Sequence, residues 1–457
     1  MSSILTDTYE EIKAQSTILS FIKKFSIMNC FREAGFEKEK GYNLSDVITF
    51  LISLVFTQRT FYALIKICSF GKPFDKDVVY RFLNNPLANW RDCLANIASL
   101  VINNHLFGLT RSERARALVL DDSLYDRDRS NKVELLAWTR DHNKNVTKRG
   151  FRMLTLGWTD GVSFIPLMFS LLSSQRKDKR LCEANENIPA GSPGSARRKE
   201  AVSSAMDVSL QLIDEAMKRV RCFKYVLFDS WFSWHSFVVA IKIRQRDVIC
   251  MLKDNDTLFY GYQGRAYKLR ELFSVVEKNT DNKEILASAA VYVLGMRMRV
   301  VFVTNRNKGA KRKWLALLST DLSISDEEII RIYGMRWDIE VFFKMSKSFL
   351  RLAKEFRVRS YDSMTAHTSI VFIRHILLSY EARFNQDNRA YGGIFYECCD
   401  EVAELSYNQA IRLIMDLLIK TLHDTPFLSD EEVDHILEAF LQNIPSILGK
   451  RLPGQAA

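Results

Sequence analysis

Two short apolar runs that end in aspartate constrain the fold of this chain more than any other feature. They are ARALVLDD at 115–122 and FKYVLFDS at 223–230. Runs of this length, rich in Val and Leu, read as strands buried in a sheet. Between them, RGFRMLTLGWTDGVSFIPLMFSLL (149–172) sets Asp160-Gly161 between two apolar stretches, a strong hairpin signal. A polar, Gly- and Pro-containing segment (173–196) reads as an exposed loop, and KEAVSSAMDVSLQLIDEAMKRV (199–220) reads as a helix. Strand, hairpin, helix, strand predicts an α/β core built on a mixed sheet.

The texture changes on either side of this core. Residues 249–322 become β-rich (VICMLK, TLFYGYQG, YKLREL, ASAAVYVLGMRMRVVFVT, KWLALLST), with turns at DNDT, GYQG and NRNKGAK, and read as an inserted β-domain. Residues 1–108 and 385–457 are helical in pattern, and FDKDVVYRFLNN (74–85) suits a helix of a helix-turn-helix unit. The expected organisation is a helical region at 1–108 and core at 109–248. The β insertion at 249–322, core again at 323–384 and a helical region at 385–457 complete it. A chain of 457 residues exceeds one compact core, and roughly two to four domains are expected.

Composition narrows the class. With 47% hydrophobic and 26% charged residues the chain reads as globular. Its longest uncharged apolar run, VITFLISLVF (47–56), is about half a membrane span, and the start MSSILTDTYEEIKAQ shows no secretory pattern. Eight cysteines without a CxxC pair and seven histidines without zinc spacing point to a reduced, cytoplasmic setting and away from structural zinc. The net charge of +11 invites a polyanionic partner. The basic residues cluster at 111–116, 140–149, 175–180, 196–199 and 306–313, several of them beside expected strand ends.

The segment SISDEEIIRIYGMRWDIEVFFKMSK (323–347) reads as a helix, with Ser325 and Glu328 as a capping box. Tyr333, Arg336, Glu340 and Lys347 fall within a stripe roughly 60° wide on that helix. Much of the remaining circumference is apolar (Ile339, Phe342, Phe343, Met345), so the stripe faces protein or ligand and needs partners. Asp121 or Asp122 at one strand end, Asp229 at the other and Glu340 can supply hard oxygen ligands for Mg²⁺. Two such ions about 4 Å apart perform phosphodiester chemistry. Each part also has a plainer meaning. Asp after a strand is a common turn former. Arg336 and Glu340 alone make an ordinary i,i+4 pair. His375 reads as a core residue, and neither His142 nor His235 is required by two-metal chemistry.

Tyr333, Arg336, Glu340 and Lys347 reproduce the Y-(2)-R-(3)-E-(6)-K spacing, and the chain here resembles IS4-type DDE transposases. The resemblance covers roughly 110–380 and extends to the order of parts: DDS at 121–123, FDS at 228–230, a β-rich insertion, then Glu340. It implies an RNase H-like catalytic core and a metal-binding catalytic triad of Asp121, Asp229 and Glu340, with Asp122 as the competitor for the first position. It implies two Mg²⁺ ions, replaceable by Mn²⁺, and phosphate contacts from Tyr333, Arg336, Lys347 and Lys344. It also implies a homodimer on double-stranded DNA, both terminal inverted repeats and target, in a prokaryotic nucleoid. The activity implied is hydrolysis at the element ends and 3′-OH strand transfer, with excision through a hairpin left open. Trp314 is the candidate for stacking an extruded base, against a plainer reading as a strand residue of the insertion's own core, and Trp231 is a second candidate. A DNA nuclease without strand transfer, or a DNA-binding protein that has lost catalysis, remain the alternatives.

Overall fold

The structure is a computed structural model that describes residues 16–37, 41–67, 76–111, 113–141, 146–221, 223–280, 282–306, 312–384, 391–423 and 429–442. His142 and the centres of the basic runs at 140–149 and 306–313 lie outside the described residues, as do 74–75 of the expected helix-turn-helix segment. The helix there spans Lys76–Leu83.

One mixed sheet organises the molecule. Its core strands are β1 (Ala117–Asp126), β2 (Ala137–Asp141), β3 (Val146–Thr159), β4 (Phe164–Leu172), β5 (Tyr225–Phe228) and β6 (Asp247–Met251). The hairpin β3–β4 turns at Asp160–Ser163, where Gly161 takes φ +79°. β1 pairs antiparallel with β3 and parallel with β5, which pairs parallel with β6. In the order β4-β3-β1-β5-β6 only β3 runs against its neighbours, an arrangement consistent with an RNase H-like core. The texture of these strands follows from their position. β5 is buried at all four residues and β4 at all nine, as strands covered on both faces must be. Gly157 of β3 is held to glycine by its partner strand, because a Cβ there would lie 2.2 Å from the Phe164 ring.

The strands of 249–322 continue this sheet. β7 (Phe259–Tyr262), β8 (Arg265–Lys268), β9 (Ile285–Val293), β10 (Met296–Thr304) and β11 (Trp314–Ser319) complete eleven strands, and β11 pairs antiparallel with β6. The boundary expected at 248/249 falls inside β6. β9 alternates buried and exposed positions along its length, the mark of a strand with one solvated face.

Helices cover the core. α1 (Trp90–Val101), α2 (Pro193–Ala201) and α3 (Ala205–Arg219) pack on β4, and α4 (His235–Ile243) on β6. The expected helix at 325–347 is two helices, α5 (Asp326–Gly334) and α6 (Trp337–Ser348), with Met335 and Arg336 in the turn between them. The β3–β4 turn seats that break: Met335 packs beside Gly161, and Thr159 Oγ1 donates to Asp338 Oδ2 at 2.6 Å. Ser325 caps α5, its Oγ accepting from Glu328 N–H, but the Glu328 carboxylate pairs with Arg331 rather than closing a capping box. α7 (Tyr361–Phe384) is buried from Tyr361 to Tyr380 and packs on α1, β4 and the helix Leu44–Ser53. Further helices lie towards both termini, among them Thr17–Lys24 and Tyr391–His423. No helix among the described residues is long and apolar enough to cross a membrane.

Candidate active site

The site forms where β1 and β5 stop pairing. Their parallel register runs from Ala117↔Tyr225 to Leu120↔Phe228, so Asp121 and Asp229 are the next residue on each strand. β1 does not end at its aspartates. It continues to Asp126, held by β3 alone. Asp229 leaves the sheet in a turn, its Oδ1 accepting the Trp231 N–H at 2.8 Å. The carboxylate thus shapes the turn with one oxygen while it lines the cleft.

α6 lies against β1 and brings Arg336 and Glu340 to the same place. Arg336 Nη1 donates to Asp121 Oδ2 at 2.9 Å and reaches Glu340 Oε1 at 3.4 Å. Lys347, further along α6, donates to Ser123 Oγ of β1. Tyr333 belongs to α5, across the helix break. Burial pushes its phenol well above the usual range, and Arg336 lies beside its ring.

Electrostatics distinguish the two neighbouring aspartates. Asp121 is 7% exposed, and its pKa is pushed up to about 8 by burial first and then by Asp229, with Arg336 opposing. Asp229 is also raised, again chiefly by burial. Arg336 stays firmly charged although burial opposes it, because Tyr333, Asp121, Glu340 and Asp229 surround it. Asp122 points to the other face of β1 and is held by a two-pronged pair with Arg152 of β3, at 2.6 Å from Nε and 2.8 Å from Nη2. The Arg152 guanidinium lies 3.5 Å from the centre of the Trp231 ring.

These residues line one cleft of about 1260 Å³. Asp121, Asp122, Asp229 and Glu340 are on its wall together with Arg336, Lys347, Arg152, Trp231 and Lys253. It continues along β1 to Arg127, Arg129, Arg140, Lys148 and Lys354. Three expected residues are not on this wall: Tyr333, whose hydroxyl is buried, Lys344 and Trp314. Lys344 is exposed on α6 outside the cleft. Trp314 packs inside the extended sheet, stacked on Phe273 at 4.9 Å and edge-on to Phe302 at 5.3 Å, because its strand position turns it towards the helix Leu269–Val275. Of the two tryptophans it is Trp231 that lines the cleft. His375 is fully buried within α7, and His235 is buried against Tyr260. Sequence reasoning missed Arg152, whose only signal was an arginine in a strand otherwise apolar around it.

The donors suit a hard cation in type. Asp121 is a buried carboxyl whose ionisation burial and Asp229 both oppose, and Asp229 and Glu340 face the same cleft. Arg336 supplies positive charge that favours that ionisation. Among the described residues, no three His, Cys, Asp or Glu side chains form a finished metal cage, so the fit is one of donor chemistry and shared cleft.

Comparison with known proteins agrees with this picture at the level of the class. No curated protein matches the chain. Residues 54–270, which include Asp121 and Asp229, match the family described as DDE superfamily endonuclease. Residues 197–360, which include Asp229 and Glu340, match the family described as archaeal putative transposase ISC1217. Across residues 54–360 the chain is similar to DDE-type endonucleases and transposases.

Proposed function

We propose that the protein is a DDE transposase of the IS4 type, which hydrolyses phosphodiester bonds at the ends of a mobile element and joins the freed 3′-hydroxyl to target DNA. The observation that carries this reading is the meeting of Asp121, Asp229 and Glu340, from three distant segments, in a cleft whose other charged groups are mostly cationic. The two family matches support the same class.

Asp121, Asp229 and Glu340 would hold the divalent metal, two Mg²⁺ with Mn²⁺ as substitute. When bound, the metal activates the attacking water or 3′-hydroxyl and stabilises the leaving oxygen. Asp121 is preferred over Asp122 because the Arg152 fork already occupies both oxygens of Asp122. Arg336 and Lys347 would bind the phosphates flanking the cut, with Tyr333 backing Arg336. Arg127, Arg129 and Arg140 would neutralise phosphates further along the strand, largely independent of sequence. Lys344 would meet DNA outside the cleft. Trp314, packed as it is, would have to leave its aromatic neighbours to stack a base, which makes Trp231 the better placed tryptophan. Two element ends must each meet a site, so a homodimer on DNA is part of the proposal. The description attached to 54–270, an endonuclease, favours one rival: hydrolysis without joining.

The test is cleavage of DNA carrying the element's own ends, with Mg²⁺ or Mn²⁺, by the native protein and Glu340→Gln. The proposal expects metal-dependent nicking at the ends and joined products with a target plasmid. The variant should lose both by at least about 100-fold while still binding DNA. Nicking with no joined product would favour the nuclease. Cleavage retained in Glu340→Gln would remove Glu340 from the site.

A further inference from the structure

The backbone ladder between β1 and β5 ends at Leu120↔Phe228, one residue before Asp121 and Asp229. No sheet hydrogen bonds therefore fix the spacing of these two carboxylates. Side chains on the opposite face of β1 span the gap. Arg152 reaches from β3, forks onto both oxygens of Asp122, and presents its flat guanidinium to the Trp231 ring at 3.5 Å. Trp231 in turn donates its backbone N–H to Asp229 Oδ1 at 2.8 Å. The contacts make a continuous path from β3 across β1 to the Asp229 turn.

We propose that Arg152 and Trp231 are positioning residues for metal binding: a clamp, anchored on Asp122, that sets the separation of Asp121 and Asp229. The proposal rests on the reading of Asp121 and Asp229 as metal ligands. Its chemistry asks for arginine and an aromatic ring. Only a planar fork can grip Asp122 with two bonds and lie flat on an indole at the same time, and lysine, with a single point charge, cannot. Partners that orient ligating carboxylates typically cost roughly 10- to 100-fold in metal affinity when removed.

The experiment is calorimetric titration of Mn²⁺ into the DNA-free protein, with thermal melting measured on the same samples. Arg152→Lys keeps the charge and loses the fork. Trp231→Ala loses the stacking surface, and Trp231→Phe restores an aromatic face. Expected is a roughly 10- to 100-fold weaker Mn²⁺ affinity in Arg152→Lys and Trp231→Ala, and affinity close to native in Trp231→Phe. Native Mn²⁺ affinity in both Arg152→Lys and Trp231→Ala would overturn the clamp. So would equal loss in Trp231→Ala and Trp231→Phe, which would mean the indole itself, not a stacking face, is what matters. Asp121→Asn and Asp229→Asn are the separate control. If these bind Mn²⁺ as the native protein does, the metal-site reading fails and the clamp fails with it. If they lose Mn²⁺ while Arg152→Lys and Trp231→Ala do not, only the clamp falls.

Discussion

Asp121 and Asp122 follow one another on β1, yet one is buried beside Asp229 under Arg336 and the other lies in the fork of Arg152. Without a bound cation the first is a source of strain and the second a source of stability. Their neutral variants should therefore move stability in opposite directions. The folded pKa of Asp121, about 8, lies above its unfolded value, so the group opposes folding increasingly as pH rises from about 4 towards 8. Asp121→Asn is expected to raise the melting temperature of metal-free protein at pH 8. Asp122→Asn should lower stability by about 1–3 kcal/mol, because it weakens a charged hydrogen-bonded pair and leaves Arg152 half-buried. Urea denaturation of the two variants side by side checks this, and equal signs would contradict it. The sequence alone could not separate these neighbours. What distinguishes them is the alternation of a strand and an arginine on a partner strand, which becomes a neighbour only in the folded sheet.

At the scale of elements, the strands were readable where burial is complete and the helices where their periodicity is strong. β4 and β5 lie where the apolar runs put them, because strands covered on both faces leave no room for polar positions, whereas β1 runs on past its aspartates to Asp126 and β3 starts at the exposed Val146, beyond the apolar runs. The break between α5 and α6 was not readable. Gly334-Met335-Arg336 carries no proline, and the cause lies in the β3–β4 turn, where Thr159 and Gly161 receive Asp338 and Met335. The continuity of β6 with β11 was equally hidden, since no local pattern reports which strand a distant one will join. One tie across this junction is testable by pH. Asp321, just after β11, accepts from Tyr225 Oη at 2.8 Å and pairs with Lys224 Nζ at 2.6 Å, both at the start of β5. Burial alone would raise its pKa, but Lys224, Ser323 and Tyr225 together hold it well below the usual carboxylate range. A depressed folded pKa gives stability that is present above about pH 4 and lost as pH falls below it. Asp321→Asn should cost about 1–2 kcal/mol at pH 7, a modest figure because Lys224 is half exposed. The difference from the native protein should shrink below about pH 4 in urea midpoints measured against pH.

Across the whole molecule, the helical flanks and the core are tied at one fully buried point. Arg374 of α7 donates to Glu355 at 2.8 Å and also to the carbonyls of Leu51 and Ile52, at the end of the helix Leu44–Ser53, and none of these charged groups is exposed. Removing one partner strands the other charge in the interior. Arg374→Met is expected to destabilise by about 3–5 kcal/mol and to loosen the N-terminal helices first, seen as faster proteolysis within 41–67. Glu355→Leu added to it should recover part of the loss. The shared sheet has a consequence of a different kind. Because Leu317–Ser319 of β11 complete the ladder of Ile249–Met251 in β6, the segment at 249–322 is not a removable module. A shorter version of this protein could not simply omit it. Removing the strands that follow β6 would leave its row of backbone donors and acceptors open to solvent, an invitation to pair with other chains. Any compact relative must therefore find another cover for that edge, and this segment's length and content are answerable to solubility.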